Sequence, residues 1–209
     1  MGTQIFLGKP PPSVIMWIVK KAKTYVKYTA ASGLSDWEDD IVGELTRSSI
    51  PNKSNAEVVE IGSHVTSIGE QAFEWCDWLT SVTIPNNVTN IKMGAFYHCS
   101  ILASIIIPSS ITNIQDFTFA WCNNLTSVTI PGSVTSIGEN AFSYCSSLTS
   151  ITIPDNVTSI GENIFYNCSS LTSVTFSGKS KATVQGLLNY SWQLPSGCVI
   201  HCTDGDITI

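Results

Sequence analysis

Cysteine recurs every 23 residues through the middle of the chain, at Cys76, Cys99, Cys122, Cys145 and Cys168, and the residues around it recur in step. LTSVTIPNNVTNIKMGAFYHCSI begins at Leu79, LASIIIPSSITNIQDFTFAWCNN at Leu102, LTSVTIPGSVTSIGENAFSYCSS at Leu125 and LTSITIPDNVTSIGENIFYNCSS at Leu148, with no insertion between units. A degenerate unit precedes them, with Val59, Ile61, Val65, Ile68, Phe73 and Cys76 in register, and a strand at 171–176 follows. Fixed self-similarity of this length marks a solenoid, in which each unit contacts its neighbours.

Within a unit the apolar residues do not follow a helical period, so one long helix is excluded. Leu125, Val128 and Ile130, ended by Pro131, read as a short strand with alternate side chains inward, because proline cannot donate to a ladder. Val134 and Ile137 read as a second short strand. Gly138 then leads to Ala141, Phe142 and Cys145, spaced for a short helical or 3-10 turn. The predicted fold is an α/β-type repeat solenoid. One coil buries too little apolar surface to offset the entropy of ordering its backbone at about 1–2 kcal/mol per residue, so the coils are stable only as a stack.

The unit LTSVTIPxxVTSIGENAFxxCSS resembles the BspA-type, or treponemal-type, leucine-rich repeat over about six-tenths of the chain. The resemblance implies a right-handed stack of coils. It also implies protein or surface recognition, in a family found on host-associated bacteria, in some parasitic protists and in phages of gut bacteria. It transfers no catalytic residue. The organisation expected is an attachment or helical segment at 1–30, an N-terminal cap at 31–55, the repeat array at 56–177 and a C-terminal cap at 178–209.

Composition narrows the function. The chain of 209 residues is 43% hydrophobic but only 12% charged, with net charge −6 and pI near 4.9. Seven of its ten basic residues precede Asn55, so the array lacks the basic stripe that nucleic acid requires. Lys20, Lys21 and Lys23 follow only six apolar residues after Ser13, which fits a short helix at 14–23 and neither a signal peptide nor a membrane span. Without an export signal, synthesis is expected in the cytosol. Two destinations fit: the surface of a phage virion, or a bacterial cell surface if the sequence has been trimmed.

Chemistry-bearing residues point away from catalysis. His64, His98 and His201 are scattered, and no Ser or Cys arrangement repeats around them, so no enzyme is expected. No CxxC pair exists, and no metal or cofactor is expected. Cysteines one coil apart meet the distance for a bridge, yet their Cβ vectors run parallel, so a buried ladder of free thiols is predicted. Cys198 and Cys202, on one strand, would lie about 13 Å apart, too far to pair. Glu70, Asp116, Glu139 and Glu162 share one repeat position, read as the favourable start of each helical turn. Asp36, Glu38, Asp39 and Asp40 read as a solvated turn, and Lys20, Lys21, Lys23 and Lys27 as a solvated helix face.

Two surfaces are candidates for a ligand. Ser81, Ser104, Ser127, Ser150 and Ser173 form one outward row of the strand ladder, and Thr83, Ile106, Thr129, Thr152 and Thr175 the next, on the expected concave side. They line either a ligand face or a plain exposed sheet of good strand formers. That face measures roughly 500 Å², short of the roughly 800 Å² per partner in a standard interface. The residues before the cysteines, Trp75, His98, Trp121, Tyr144 and Asn167, with Trp78 and Tyr97 nearby, form an aromatic edge. It serves either binding or packing between coils.

Towards the ends, Ile41, Val42 and Leu45 are predicted core residues beside one or two N-terminal β-hairpins. At the C-terminus a short helix within 184–197 is expected to carry Trp192 over the last coil, before a hairpin turning at Asp204-Gly205. The function expected is non-enzymatic recognition or adhesion, with a protein or surface glycan as partner. The alternative is a structural or decoration protein that forms a homo-oligomer through residues 1–30 or the aromatic edge.

Overall fold

A computed structural model describes residues 26–30, 37–39, 41–50, 52–187 and 192–209. The expected helix at 14–23, with its lysines, and the acids Asp36 and Asp40 lie outside the described residues. The rest is a stack of coils, each with three sides.

The first side is a column of strands: β1 (Val26–Ala30), β2 (Trp37–Asp39), β4 (Ala56–Glu60), β6 (Ser81–Thr83), β8 (Ser104–Ile106), β10 (Ser127–Thr129), β12 (Ser150–Ile153), β14 (Ser173–Phe176), β15 (Val199–Cys202) and β16 (Gly205–Thr208). The second side holds shorter strands: β3 (Gly43–Leu45), β5 (Val65–Ile68), β7 (Asn90–Ile91), β9 (Asn113–Ile114), β11 (Ser136–Ile137) and β13 (Ser159–Ile160). Pairing between coils is parallel and keeps the sequence period: Val58 faces Ser81, Ser104 faces Ser127, Ser150 faces Ser173, and Ser136 faces both Asn113 and Ser159. Pro85, Pro108, Pro131 and Pro154 end β6, β8, β10 and β12, as the missing N–H requires.

The third side departs from the helical expectation: it is a run of linked turns with no helix. In one coil Ser143, Cys145 and Leu148 donate backbone N–H groups to the carbonyls three residues back, at 3.1–3.2 Å. The alternate N–H groups of Asn140, Phe142 and Tyr144 point along the stack to Glu162, Ile164 and Tyr166 carbonyls at 2.9, 3.2 and 2.7 Å. A helix would need those donors for its own i→i−4 ladder, so bonding to the next coil excludes it. Glu70, Asp116, Glu139 and Glu162 therefore complement no helix dipole. Instead, Asp116 Oδ1 accepts the backbone N–H of Glu139 at 2.8 Å.

The inward residues form continuous rows. Phe73, Phe96, Phe119, Phe142 and Phe165 are buried and stack with ring centroids 5.2–6.3 Å apart. The cysteine row runs beside them as free thiols. Each thiol from Cys99 to Cys168 donates to the carbonyl of a phenylalanine in the preceding coil, at 3.1–3.3 Å. Burial pushes the Cys122 and Cys168 thiols up to about 12 and raises Cys145 well above the usual thiol value. At the N-terminal end Lys53 replaces cysteine, and its Nζ bonds the Gln71 and Ala72 carbonyls at 3.0 and 2.5 Å; burial lowers its pKa to about 8.

Ser, Thr and Asn side chains stitch adjacent coils. Thr80, Thr126 and Thr172 hydroxyls donate to carbonyls one coil back at 2.9–3.2 Å, while Asn87, Ser133 and Lys179 make a second such row. The sparse charge of the central repeats follows, since there the side-chain bonds between coils are made by Ser, Thr and Asn, with lysines such as Lys53 and Lys179 in these rows only towards the ends.

The stack begins with β3, where Leu45 pairs with Ile68, so the 23-residue register starts upstream of Ala56. Leu45 is buried and Ile41 packs against the core, but Val42 is 75% exposed. Val42 lies just before β3, next to Gly43 with its φ of 86° and the register shift that follows it, and its side chain turns outward there. β1 caps this end, antiparallel to both β2 and β4. At the other end β15 extends the parallel column and β16 folds back on it. Cys202 pairs with Gly205, so Thr203-Asp204 forms the two-residue turn and Gly205 starts the return strand. A helix α1 (Lys181–Leu187) ends before Trp192, which lies outside it, buried and stacked on Phe176 at 5.9 Å.

Candidate functional site

Two faces carry the residues singled out from the sequence. On the strand face Ser81, Thr83, Ser104, Ser127, Thr129, Ser150 and Thr152 are exposed, while Ser173 and Thr175 are half-buried. Ile106 interrupts the threonine row and is 73% exposed. This face is regular, polar and without a carboxylate or cation between β6 and β14.

On the turn face the aromatic residues join into a rail. Trp75 stacks on His98 with centroids 3.8 Å apart, His98 on Trp121 at 5.9 Å, and Trp121 on Tyr144 at 3.7 Å. Tyr97 meets Trp75 edge-on at 6.2 Å, and Tyr166 meets Tyr144 at 5.3 Å. His98, Trp121, Tyr144 and Tyr97 are half-buried, Trp75 is 48% exposed and Trp78 55%. Packing between coils and exposure to solvent thus coexist: ring faces meet one another and ring edges face outward. Those edges carry the positive end of the ring quadrupole and suit carbonyl oxygens, carboxylates and the faces of other rings. His98 Nδ1 lies 3.3 Å from Asp77 Oδ1, which fixes one ring of the rail. A hydrogen bond to the Tyr144 side chain raises the pKa of Tyr166.

The backbone beneath this rail is unusual. Trp75, His98, Trp121, Tyr144 and Asn167 all have positive φ, between 57° and 64°. Asn52, the equivalent residue one coil earlier, has φ 49°. The left-handed region is disfavoured by roughly 1–2 kcal/mol for bulky residues and tolerated by Asn and Gly. The outer members of the row are therefore asparagines, as the backbone prefers, and its middle carries aromatic rings against that preference. A second row behaves alike: Gln71, Gly94, Phe117, Asn140 and Asn163 all have positive φ, and Phe117 is the one aromatic among them.

Phe117 and Met93 were missed by the sequence reading. They are 37% and 38% exposed and line, with Gln71, Glu74, Trp75, Gly94 and Tyr97, an open recess of about 470 Å³. The available signal was Phe117 standing where neighbouring units place Gly or Asn. A further groove, about 610 Å³, runs past Asp116, Glu139 and Glu162. No cluster with the makings of a metal site occurs among the described residues, and no described helix is long and apolar enough to cross a membrane.

The model of the BspA type leucine rich repeat region matches residues 47–172 and 112–196, in six copies. Among solved structures, a leucine-rich repeat protein of T. pallidum is 30% identical, with TM-score 0.59, over 75% of this chain and 69% of its own. A leucine rich cell surface protein from Faecalibacterium prausnitzii is 30% identical over 74% of this chain, TM-score 0.57. A leucine-rich repeat protein from Bacteroides ovatus is 28% identical over 73%, TM-score 0.56. The chain spans 46% and 45% of the length of these last two. No curated protein matches significantly. The repeat, the stack and these matches agree: the chain belongs to the BspA-type leucine-rich repeat family.

Proposed function

We propose that the chain is a non-enzymatic recognition module whose turn face docks a protein partner. The observation that carries this reading is the aromatic rail at Trp75, His98, Trp121 and Tyr144, kept half-exposed on left-handed backbone where asparagine is easier to accommodate. Strained, exposed aromatic residues are more in keeping with recognition than with stability, and Trp and Tyr are the usual anchors of protein interfaces. The strand face, narrow and chemically uniform, supports attachment less well. A surface location, on a cell or a virion, accords with the F. prausnitzii relative being a cell surface protein. Residues 1–30 are proposed as the attachment element.

The test is adhesion of the labelled chain to intact bacterial and epithelial cells before and after protease or glycosidase treatment. Binding should be lost after protease and kept after glycosidase. Trp121→Asn should lower it at least about tenfold, in line with a loss of 1.4 kcal/mol or more at a hot spot, while Thr129→Lys leaves it unchanged. The opposite pattern between those two variants would move the site to the strand face.

A further inference from the structure

We propose that the recess between Trp75, Met93, Tyr97 and Phe117 is a pocket for a basic side chain, arginine first, presented by the protein partner. The inference rests on the turn face being a protein-recognition surface and goes on to name what part of the partner it grips.

Shape comes first. Trp75 and Tyr97 meet at 70° with centroids 6.2 Å apart, making two walls of a corner. Phe117 and Met93 supply further apolar lining. Gly94, at φ 60° in the same row as Phe117, leaves the floor open; a Cβ there would lie 3.3 Å from Gln71 Cγ and 3.7 Å from Tyr97 Cβ. The volume, about 470 Å³, accommodates a long side chain together with its backbone. Rings set near a right angle give a packing corner for the apolar stem of an arginine, with its guanidinium directed to Glu74.

Charge selects the occupant. Glu74 is a lining residue with a side chain only 13% exposed. The chain's own Arg47 already reaches this point: its guanidinium pairs with the Glu74 carboxylate, and Nη1 bonds Gln71 Oε1 at 3.3 Å. A guanidinium thus rests on two residues of the recess wall and shows that the wall accepts one. Beyond it the nearest cation, Lys92 beside Met93, is itself paired with Glu44 at 2.6 Å. Glu70 and Asp116 flank Met93 along their row and are exposed, and from residue 93 to 178 the sequence holds Asp116, Glu139, Asp155 and Glu162 with no Lys or Arg. An incoming arginine lays its stem on the aromatic walls and competes with Arg47 for the Glu74 carboxylate, with the exposed carboxylates of Glu70 and Asp116 nearby, whereas a neutral side chain gains none of these ionic contacts.

The test titrates the full chain with N-acetyl-arginine amide, N-acetyl-norleucine amide and tetramethylammonium, followed by indole NMR shifts. Arginine should bind about tenfold tighter than norleucine. Phe117→Asn, which suits the left-handed backbone, should remove that preference without unfolding. Glu74→Gln should weaken arginine binding and leave norleucine unaffected, while Arg47→Ala, by freeing Glu74, should strengthen it. Equal binding of arginine and norleucine, or indifference to both charge variants, overturns the proposal in favour of a plain apolar groove. Tighter binding of tetramethylammonium than of arginine overturns it in favour of a free quaternary ammonium ligand. These readouts need no partner: a chain that adheres through Trp121 but lacks arginine preference defeats this inference alone, and one whose adhesion ignores Trp121→Asn defeats the reading beneath it.

Discussion

The strand face and the turn face are built by the same 23-residue unit, yet they treat sequence variation in opposite ways. On the strand face the backbone is relaxed, and the chain repeats Ser-x-Thr from coil to coil with Ile106 as the exception. On the turn face the backbone asks for Gly or Asn at two positions per coil, and the middle coils answer with Trp, His, Tyr and Phe. The docking role proposed for the turn face rests on this contrast, since departure where few residues fit has a cost that uniform Ser-x-Thr does not.

The comparison can be broken most forcefully through what lies under the turn face. Phe119→Ala removes the middle ring of the buried stack and should cost about 3–5 kcal/mol in urea unfolding, because its neighbours on both sides lose a contact surface. A loss under 1 kcal/mol would mean that the turn side is held by its hydrogen bonds alone. An alkaline titration sharpens the contrast next, since the thiols lie inward of the turns and no ionisable group interrupts the strand rows between β6 and β14. Cys122 and Cys168 are raised from 9.0 to about 12 in the fold, so their contribution is intact below pH 9 and declines as pH climbs from 9 towards 12. At pH 10 each should contribute about 1.4 kcal/mol less than at neutrality, and Cys122→Ala should flatten its share of the slope in denaturation midpoints. The smallest effect is the most telling. Trp121→Asn gives up ring stacking of roughly 0.5–1.5 kcal/mol and relieves left-handed strain of similar size, so stability should change by less than about 1 kcal/mol while adhesion collapses.

Much of this architecture was legible because it repeats. The period, the inward rows and the unbridged thiols all follow from spacing, since parallel coils one period apart impose one environment on every member of a row. The third side keeps the i→i−3 bonds of the expected helical or 3-10 turn but forms no continuous helix, for a physical reason. Ala141, Phe142 and Cys145 have helical spacing, but spacing says nothing of where the N–H groups of Asn140, Phe142 and Tyr144 point, and these bind the next coil. Val42 was misplaced because the backbone before the irregular start of β3, rather than hydrophobicity, decides its side. The aromatic edge was visible as a row, whereas the recess was not: it joins residues 71, 93 and 117 from three coils, and only the folded stack brings Phe117 beside Trp75.

The hydrogen bonds that run between coils also determine how the molecule meets mechanical load. Parallel strand pairs, the N–H groups of the turns and the threonine stitches all lie along the stack, so a pull on its two ends loads them directly. Among the described residues the bonds of a coil run to its two neighbours, apart from the Lys92–Glu44 pair, which skips one coil, so yielding at the C-terminal end exposes the next coil without disturbing the rest. The chain therefore lengthens in steps, each releasing 23 residues or about 80 Å of contour. A stack of this kind absorbs a tug by peeling from its edge while the inner coils stay folded.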